Sequence, residues 1–155
     1  MLEQIARLVV AVGFYADSSF LVSLYRRDEH QNAASDFMAG MRPTLAFSPL
    51  NRIELRNALR NAESMRQISE QDSRAAFRQI EIDTSEGILF HLSVEWTNVF
   101  RRADELSEKH RARQWQRTID LLHVAIALES GATSFLTFDK RQRRLAQAAG
   151  LKVKP

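Results

Sequence analysis

Four acids stand among apolar neighbours, where a lone carboxylate is costly. Asp17 ends the run Phe14-Tyr15-Ala16, and Asp139 ends Phe135-Leu136-Thr137-Phe138. Glu54 lies in Arg52-Ile53-Glu54-Leu55, and Asp120 in Ile119-Asp120-Leu121-Leu122. Brought together unpaired, such groups repel, and most would have to take up protons. A divalent cation resolves the repulsion, and all-oxygen ligands select a hard ion, magnesium or manganese. Zinc is disfavoured, because there is no cysteine and His30, His91, His110 and His123 show no ligand spacing on a shared helix face. Each acid also has a purely structural use. Asp17 and Asp139 can cap helices, Asp120 can cap or pair with Arg117, and Glu54 can pair with a neighbouring arginine. Four such acids at equivalent places favour one shared site over four separate roles.

The elements that must position them alternate. Val9–Ala16 reads as a buried strand, a continuous apolar run. Asp17-Ser18-Ser19 caps a helix over Phe20–Tyr25, and a second short helix runs from His30 to Met38, stopped by Gly40 and Pro43. Thr44–Phe47 is a strand, and Ser48-Pro49 opens a helix to about Met65. A more polar helix follows over Ser69–Ile82, then a strand over Ile88–Val94 and an amphipathic helix over Val99–His110. Leu121–Leu128 is a buried helix stopped by Gly131. Ser134–Phe138 is a strand, Lys140–Ala149 a helix, and Leu151–Val153 an edge strand. This alternation predicts a three-layer α/β/α domain around a mostly parallel sheet of about five strands, with ligands at the carboxyl ends of the strands.

The 155 residues suit one domain, spanning 1–155. The absence of cysteine excludes disulfide, zinc-thiolate and thiol-nucleophile chemistry and agrees with a reducing compartment. No apolar run reaches membrane-span length, so no membrane role is expected. Leu8–Ala16 after Arg7 is short enough for a signal-peptide core, but Glu3 flanks it and no small-x-small cleavage site follows. The net charge is +3, with 18 arginines against four lysines. Arginine forks match phosphate, which makes nucleic acid a reasonable partner, although genomic bias toward arginine gives the same count.

The order Asp17, Glu54, Asp120, Asp139, at spacings of 37, 66 and 19, resembles the PIN-domain family and, within it, the VapC-like toxins of toxin–antitoxin pairs. The matching stretches are Tyr15–Ser19, Arg52–Leu59, Asp120–Leu128 and Phe135–Gln142, so the resemblance covers about residues 14 to 153. Residues 1–12 precede it and are read as an N-terminal extension. The resemblance implies a cytoplasmic, metal-dependent endoribonuclease. Asp17, Glu54, Asp120 and Asp139 would be its catalytic and metal-coordinating acids, with Mg²⁺ or Mn²⁺ as cofactor and Ser18 and Thr137 orienting the metal shell. It further implies an RNA substrate, a cognate antitoxin and a homodimer, for which the helices Phe20–Tyr25 and Ala33–Met38 offer apolar surface. A non-catalytic PIN-like module binding RNA or protein is the alternative, and the presence of all four acids weighs against it. A magnesium-dependent phosphatase on a related sheet would need a second aspartate two positions after Asp17.

Arg52, Arg56 and Arg60 recur every four residues beside Glu54, and Arg141, Arg143 and Arg144 follow Asp139. Arg52, Arg56, Arg60 and Arg141 are the candidate RNA contacts, against the plain alternative of a solvated face. His123 reads as a satisfied core histidine. Trp96 and Trp115 can stack bases, but packing is the commoner use of tryptophan.

Overall fold

The computed structural model describes residues 13–112 and 115–155. Five strands, β1 (Phe14–Ala16), β2 (Leu45–Phe47), β3 (Leu89–His91), β4 (Ser134–Leu136) and β5 (Lys152–Lys154), form one sheet in the order β3-β2-β1-β4-β5. Every pairing is parallel, with Tyr15 opposite Ala46 on one side and Phe135 on the other. The seven helices among the described residues are α1 (Ser18–Tyr25), α2 (Gln31–Met41), α3 (Pro49–Ser64), α4 (Glu70–Ser85), α5 (Trp96–His110), α6 (Thr118–Glu129) and α7 (Lys140–Ala148).

Successive strand residues face opposite sides of the sheet, and this alternation builds two cores. Tyr15, Ala46 and Phe135 point to the layer of α5, α6 and α7, where they meet Val99, Leu106, Val124, Ile126 and Leu145. Ala16, Leu45, Phe47 and Leu136 point to the layer of α1–α4, where they meet Phe20, Leu21, Leu55, Leu59 and Ile80. The three-layer α/β/α arrangement follows, with the sheet wholly parallel. No helix of the described residues is long and apolar enough to cross a membrane.

Several boundaries differ from expectation. The strand expected from Val9 is described only from Phe14, and residues 9–12 lie outside the described residues. The helix α2 runs through Gly40 and ends where Arg42 turns left-handed, at φ 44°, and sends its N–H back to Met38 O over 2.9 Å, just before Pro43. The break therefore comes from Arg42 in the place glycine usually takes. The third strand stops early because its one neighbour, β2, ends at Phe47; Leu92 N–H still reaches Phe47 O at 3.0 Å, and beyond it no ladder remains. Helix α6 begins at Thr118, which puts Asp120 in its first turn.

The helices Phe20–Tyr25 and Ala33–Met38 commit part of their apolar surface to the core: Phe20, Leu21 and Ala34 are buried, and Val22, Leu24, Tyr25, Phe37 and Met38 are partly buried against it. The exposed large apolar residues include Ile53 and Met65, on and just beyond α3, and Ile82 on α4.

Candidate active site

The strand order reverses between β1 and β4, and the crevice outside their carboxyl ends is where such sheets bind ligands. A cavity of about 490 Å³ opens there, and Asp17, Glu54, Asp120 and Asp139 all line it. Each arrives by a different route.

Asp17 follows β1 directly. Its N–H is held by Leu136 O at 3.0 Å, and Oδ1 caps α1 by accepting from Phe20 N–H at 3.1 Å. Ser19 also donates to Oδ1 at 2.6 Å, and Thr137 donates to Oδ2 at 2.5 Å. Glu54 is delivered by α3. Ser48 and Asn51 form a reciprocal cap at its start, and Asn51 Nδ2 donates 2.9 Å to Ala16 O. That bond ties the helix to the end of β1 and brings Glu54, one turn on, beside Asp17. Asp139 caps α7, with Oδ1 accepting from Arg141 N–H at 2.7 Å and Gln142 N–H at 3.2 Å. Gln142 Nε2 in turn donates 3.1 Å to Asp120 O, fixing α7 to the start of α6. Capping and site-building are thus one arrangement: in Asp17 and in Asp139, Oδ1 serves the helix and Oδ2 faces another partner.

Those partners set the electrostatics. Arg117 grips Asp120 with both arms, Nε to Oδ2 at 2.8 Å and Nη2 to Oδ1 at 2.9 Å, and reaches Asp139 Oδ2 at 3.0 Å. Asp120 is buried, whereas the Arg117 side chain is 42% exposed. Burial raises the Asp139 carboxyl, but the backbone N–H groups of Gln142 and Arg141 and the charge of Arg117 outweigh it and hold the group below its ordinary range. Burial likewise acts against ionised Glu54, and the hydrogen bond from His123, with help from Ser18 and Arg117, brings that carboxyl down. Asp17 goes the other way: burial dominates, and its carboxyl is pushed up.

His123 is 3% exposed and sits between Glu54 and Tyr15. Its Nε2 contacts Glu54 Oε2, and Nδ1 lies 2.7 Å from the Tyr15 hydroxyl. An ionised carboxylate only accepts, so Nε2 carries the proton and Nδ1 accepts from Tyr15. Ser18 donates to the same Glu54 oxygen. His123 is therefore both the satisfied core histidine read from sequence and a clamp on a cavity acid.

All four predicted acids come together, with Ser18 on Glu54 and Thr137 on Asp17. The arginine stripe does not join them. Arg56 and Arg60 lie over the Phe77 ring of α4, at 4.9 and 5.5 Å, and Arg56 also pairs with Glu81. The cavity's own cation is Arg117, whose pairing with Asp120 was one expectation but whose reach to Asp139 has no local signature. Asn51 and Ser19 were also not singled out as site residues; their place in the first turn of a helix that follows a strand is the one available hint.

The donor set suits a hard cation, being carboxylate oxygen alone. As the side chains stand, Arg117, His123 and Thr137 occupy those oxygens. Among the described residues no three of His, Asp or Glu form a group that could hold one ion.

The PIN domain family matches residues 14–148. Solved structures of the same fold include VapC20 of Mycobacterium tuberculosis, a sarcin-ricin loop cleaving toxin, with 21% identity and a TM-score of 0.63 over 92% of this chain and 100% of that one. VapBC2 of Rickettsia felis, bound to a DNA fragment from its promoter, matches at 15% identity and a TM-score of 0.61, over 91% and 96% of the two chains. FitAcB of Neisseria gonorrhoeae matches at 11% identity and 0.62, over 92% and 96%. At these identities the likeness is one of fold. No curated protein matches the sequence. Four acids in order, a parallel sheet that gathers them in one crevice, and a family match over nearly the whole described chain agree: this chain belongs to the PIN domain family.

Proposed function

We propose that the chain is a metal-dependent endoribonuclease, the toxin of a cytoplasmic toxin–antitoxin pair. The observation that carries this is the meeting of Asp17, Glu54, Asp120 and Asp139, from four separate elements, in one cavity. These four would hold Mg²⁺ or Mn²⁺, which when bound acidifies a water and stabilises charge on phosphate oxygens. The chain supplies the rest. His123 and Ser18 hold Glu54 in place, and Thr137 and Ser19 hold Asp17. Arg117, once turned from the acids, presents a planar fork that matches a phosphate. Arg52 and Arg141 would add phosphate contacts, and Arg56 and Arg60 would do so only by leaving the Phe77 ring. The resemblance to VapC-like toxins extends the proposal to an antitoxin and a homodimer, supported by exposed Ile53, Met65 and Ile82 on the α3–α4 side.

The direct test is cleavage of end-labelled RNA by the purified chain. Strand scission in Mn²⁺ or Mg²⁺ that EDTA abolishes supports the proposal. The second reading, a non-catalytic RNA- or protein-binding module, is favoured by one observation: Arg117 already neutralises Asp120 and Asp139 without a metal. Binding of RNA with no scission in any metal would select it.

Arg117 yields a further expectation. Arg117→Gln leaves buried Asp120 short of its partner. A fully buried pair broken in this way costs roughly 3–5 kcal/mol, but the exposure of Arg117 screens the loss to roughly 1–2 kcal/mol. Mn²⁺ should recover that loss, because the ion takes the oxygens the guanidinium held. Thermal unfolding with and without Mn²⁺ checks this, and an equal loss in both would show that arginine and metal do not share a site.

A further inference from the structure

Trp115 is the most exposed large apolar residue among those described, with 74% of its surface open. It is not part of either core, contrary to the packing expected for a tryptophan here. Trp96, by contrast, is partly buried against the core of the α5–α7 layer. A lone exposed apolar residue is ordinary, but an indole face is also a stacking surface for a base. It is also held: the Arg141 guanidinium lies over its ring, 5.2 Å from the centroid.

Both members of this pair are tied to the acid cavity. Trp115 is two residues before Arg117, which bonds Asp120 and Asp139, and Arg141 is two residues after Asp139 and donates its N–H to that carboxylate. The pair therefore sits on the two short segments that carry half of the acids. An exposed indole offers an unpaired nucleotide a flat surface on which its base can stack. A duplex keeps its bases stacked on each other and presents none to such a surface.

We propose that the Trp115 indole, braced by Arg141, is a stacking platform for an unpaired base next to the cleaved phosphate. The proposal rests on the ribonuclease reading of the acid cavity. It goes beyond that reading by assigning a specificity-determining residue.

The test uses the full chain, a single-stranded oligoribonucleotide, and the same strand annealed to its complement. The difference in emission between wild type and Trp115→Phe isolates Trp115 from Trp96. Quenching of that difference signal by the single strand and not by the duplex is expected. Trp115→Leu should weaken single-strand binding about 5- to 100-fold, while Trp115→Phe, which keeps a flat ring, recovers most of it. Binding of the single strand by wild type with no quenching and no loss in Trp115→Leu overturns the platform and leaves the ribonuclease reading intact. Equal quenching by the duplex overturns the preference for unpaired bases. Quenching only by a partner polypeptide overturns the proposal in favour of a protein contact. Failure of wild type to bind or cleave any RNA overturns the reading beneath it as well.

Discussion

Asp17→Asn is expected to lower RNA cleavage about a thousandfold or more while leaving the metal-free protein at least as stable as before. The two effects have opposite signs for one reason. Burial pushes the Asp17 carboxyl up, more than the hydrogen bonds from Ser19, Thr137 and Phe20 pull it down. An acid with a raised folded-state pKa keeps its proton longer in the fold than in the unfolded chain. Stability therefore falls as pH rises from the ordinary carboxylate value to the raised one, and stays lower above it. Asparagine has no charge to bury. Its Oδ1 still accepts from Phe20 N–H, and its amide donates to Thr137, whose hydroxyl turns to accept. Cleavage in Mn²⁺, together with thermal unfolding in EDTA across about pH 3 to 8, reads both effects. Cleavage within about tenfold of wild type would reduce Asp17 to a helix cap. Destabilisation beyond about 1 kcal/mol would show that the fold depends on the charge.

That trade marks the boundary between what was legible in the sequence and what was not. The alternation of strand and helix was legible because β1, β2 and β4 are largely apolar runs and α1, α3, α4 and α7 each begin at a residue that caps them. Asp17, Ser48, Ser69 and Asp139 all cap as their types suggest. The four acids were legible for the same local reason: carboxylates directly after apolar strands, or embedded in apolar helical turns, have no cheap solvated reading. What failed locally was decided by tertiary neighbours. The end of β3 depends on where β2 stops, and the end of α2 on Arg42 accepting a left-handed turn that Gly40 had signalled two residues early.

The arginines show the limit most plainly. A stripe of Arg52, Arg56 and Arg60 beside Glu54 is a fair signal for phosphate binding, yet a helix has several faces. Phe77 of α4 draws Arg56 and Arg60 to one of them. Arg117 belongs to no stripe, and its importance arises only because α6 and α7 start side by side, within reach of one guanidinium. Likewise, Tyr15 and His123 are 108 positions apart, and nothing local announces their contact.

That contact carries the second large expectation. His123→Leu should cost about 2–4 kcal/mol, from a buried phenol left without an acceptor and a carboxylate left without its donor. The Tyr15 hydroxyl is fully buried, and burial drives its ionisation far above the usual range, so it remains a donor that needs His123 Nδ1. Tyr15→Phe removes only that donor and should cost about 1–2 kcal/mol, since His123 still bonds Glu54. The double variant no longer buries an orphaned phenol, so its cost should fall about 1–2 kcal/mol short of the sum of the singles. Cleavage should separate the two residues further. His123→Leu releases Glu54 and should slow the reaction about 10- to 100-fold, the usual effect of losing a group that orients a ligand. Tyr15→Phe leaves the His123–Glu54 bond in place and should slow it less. Denaturant unfolding in EDTA and single-turnover cleavage in Mn²⁺ measure the two cycles. Simple additivity in stability would mean that the 2.7 Å contact contributes nothing of its own. Equal slowing by both variants would mean that the tyrosine, and not the histidine alone, sets the position of Glu54.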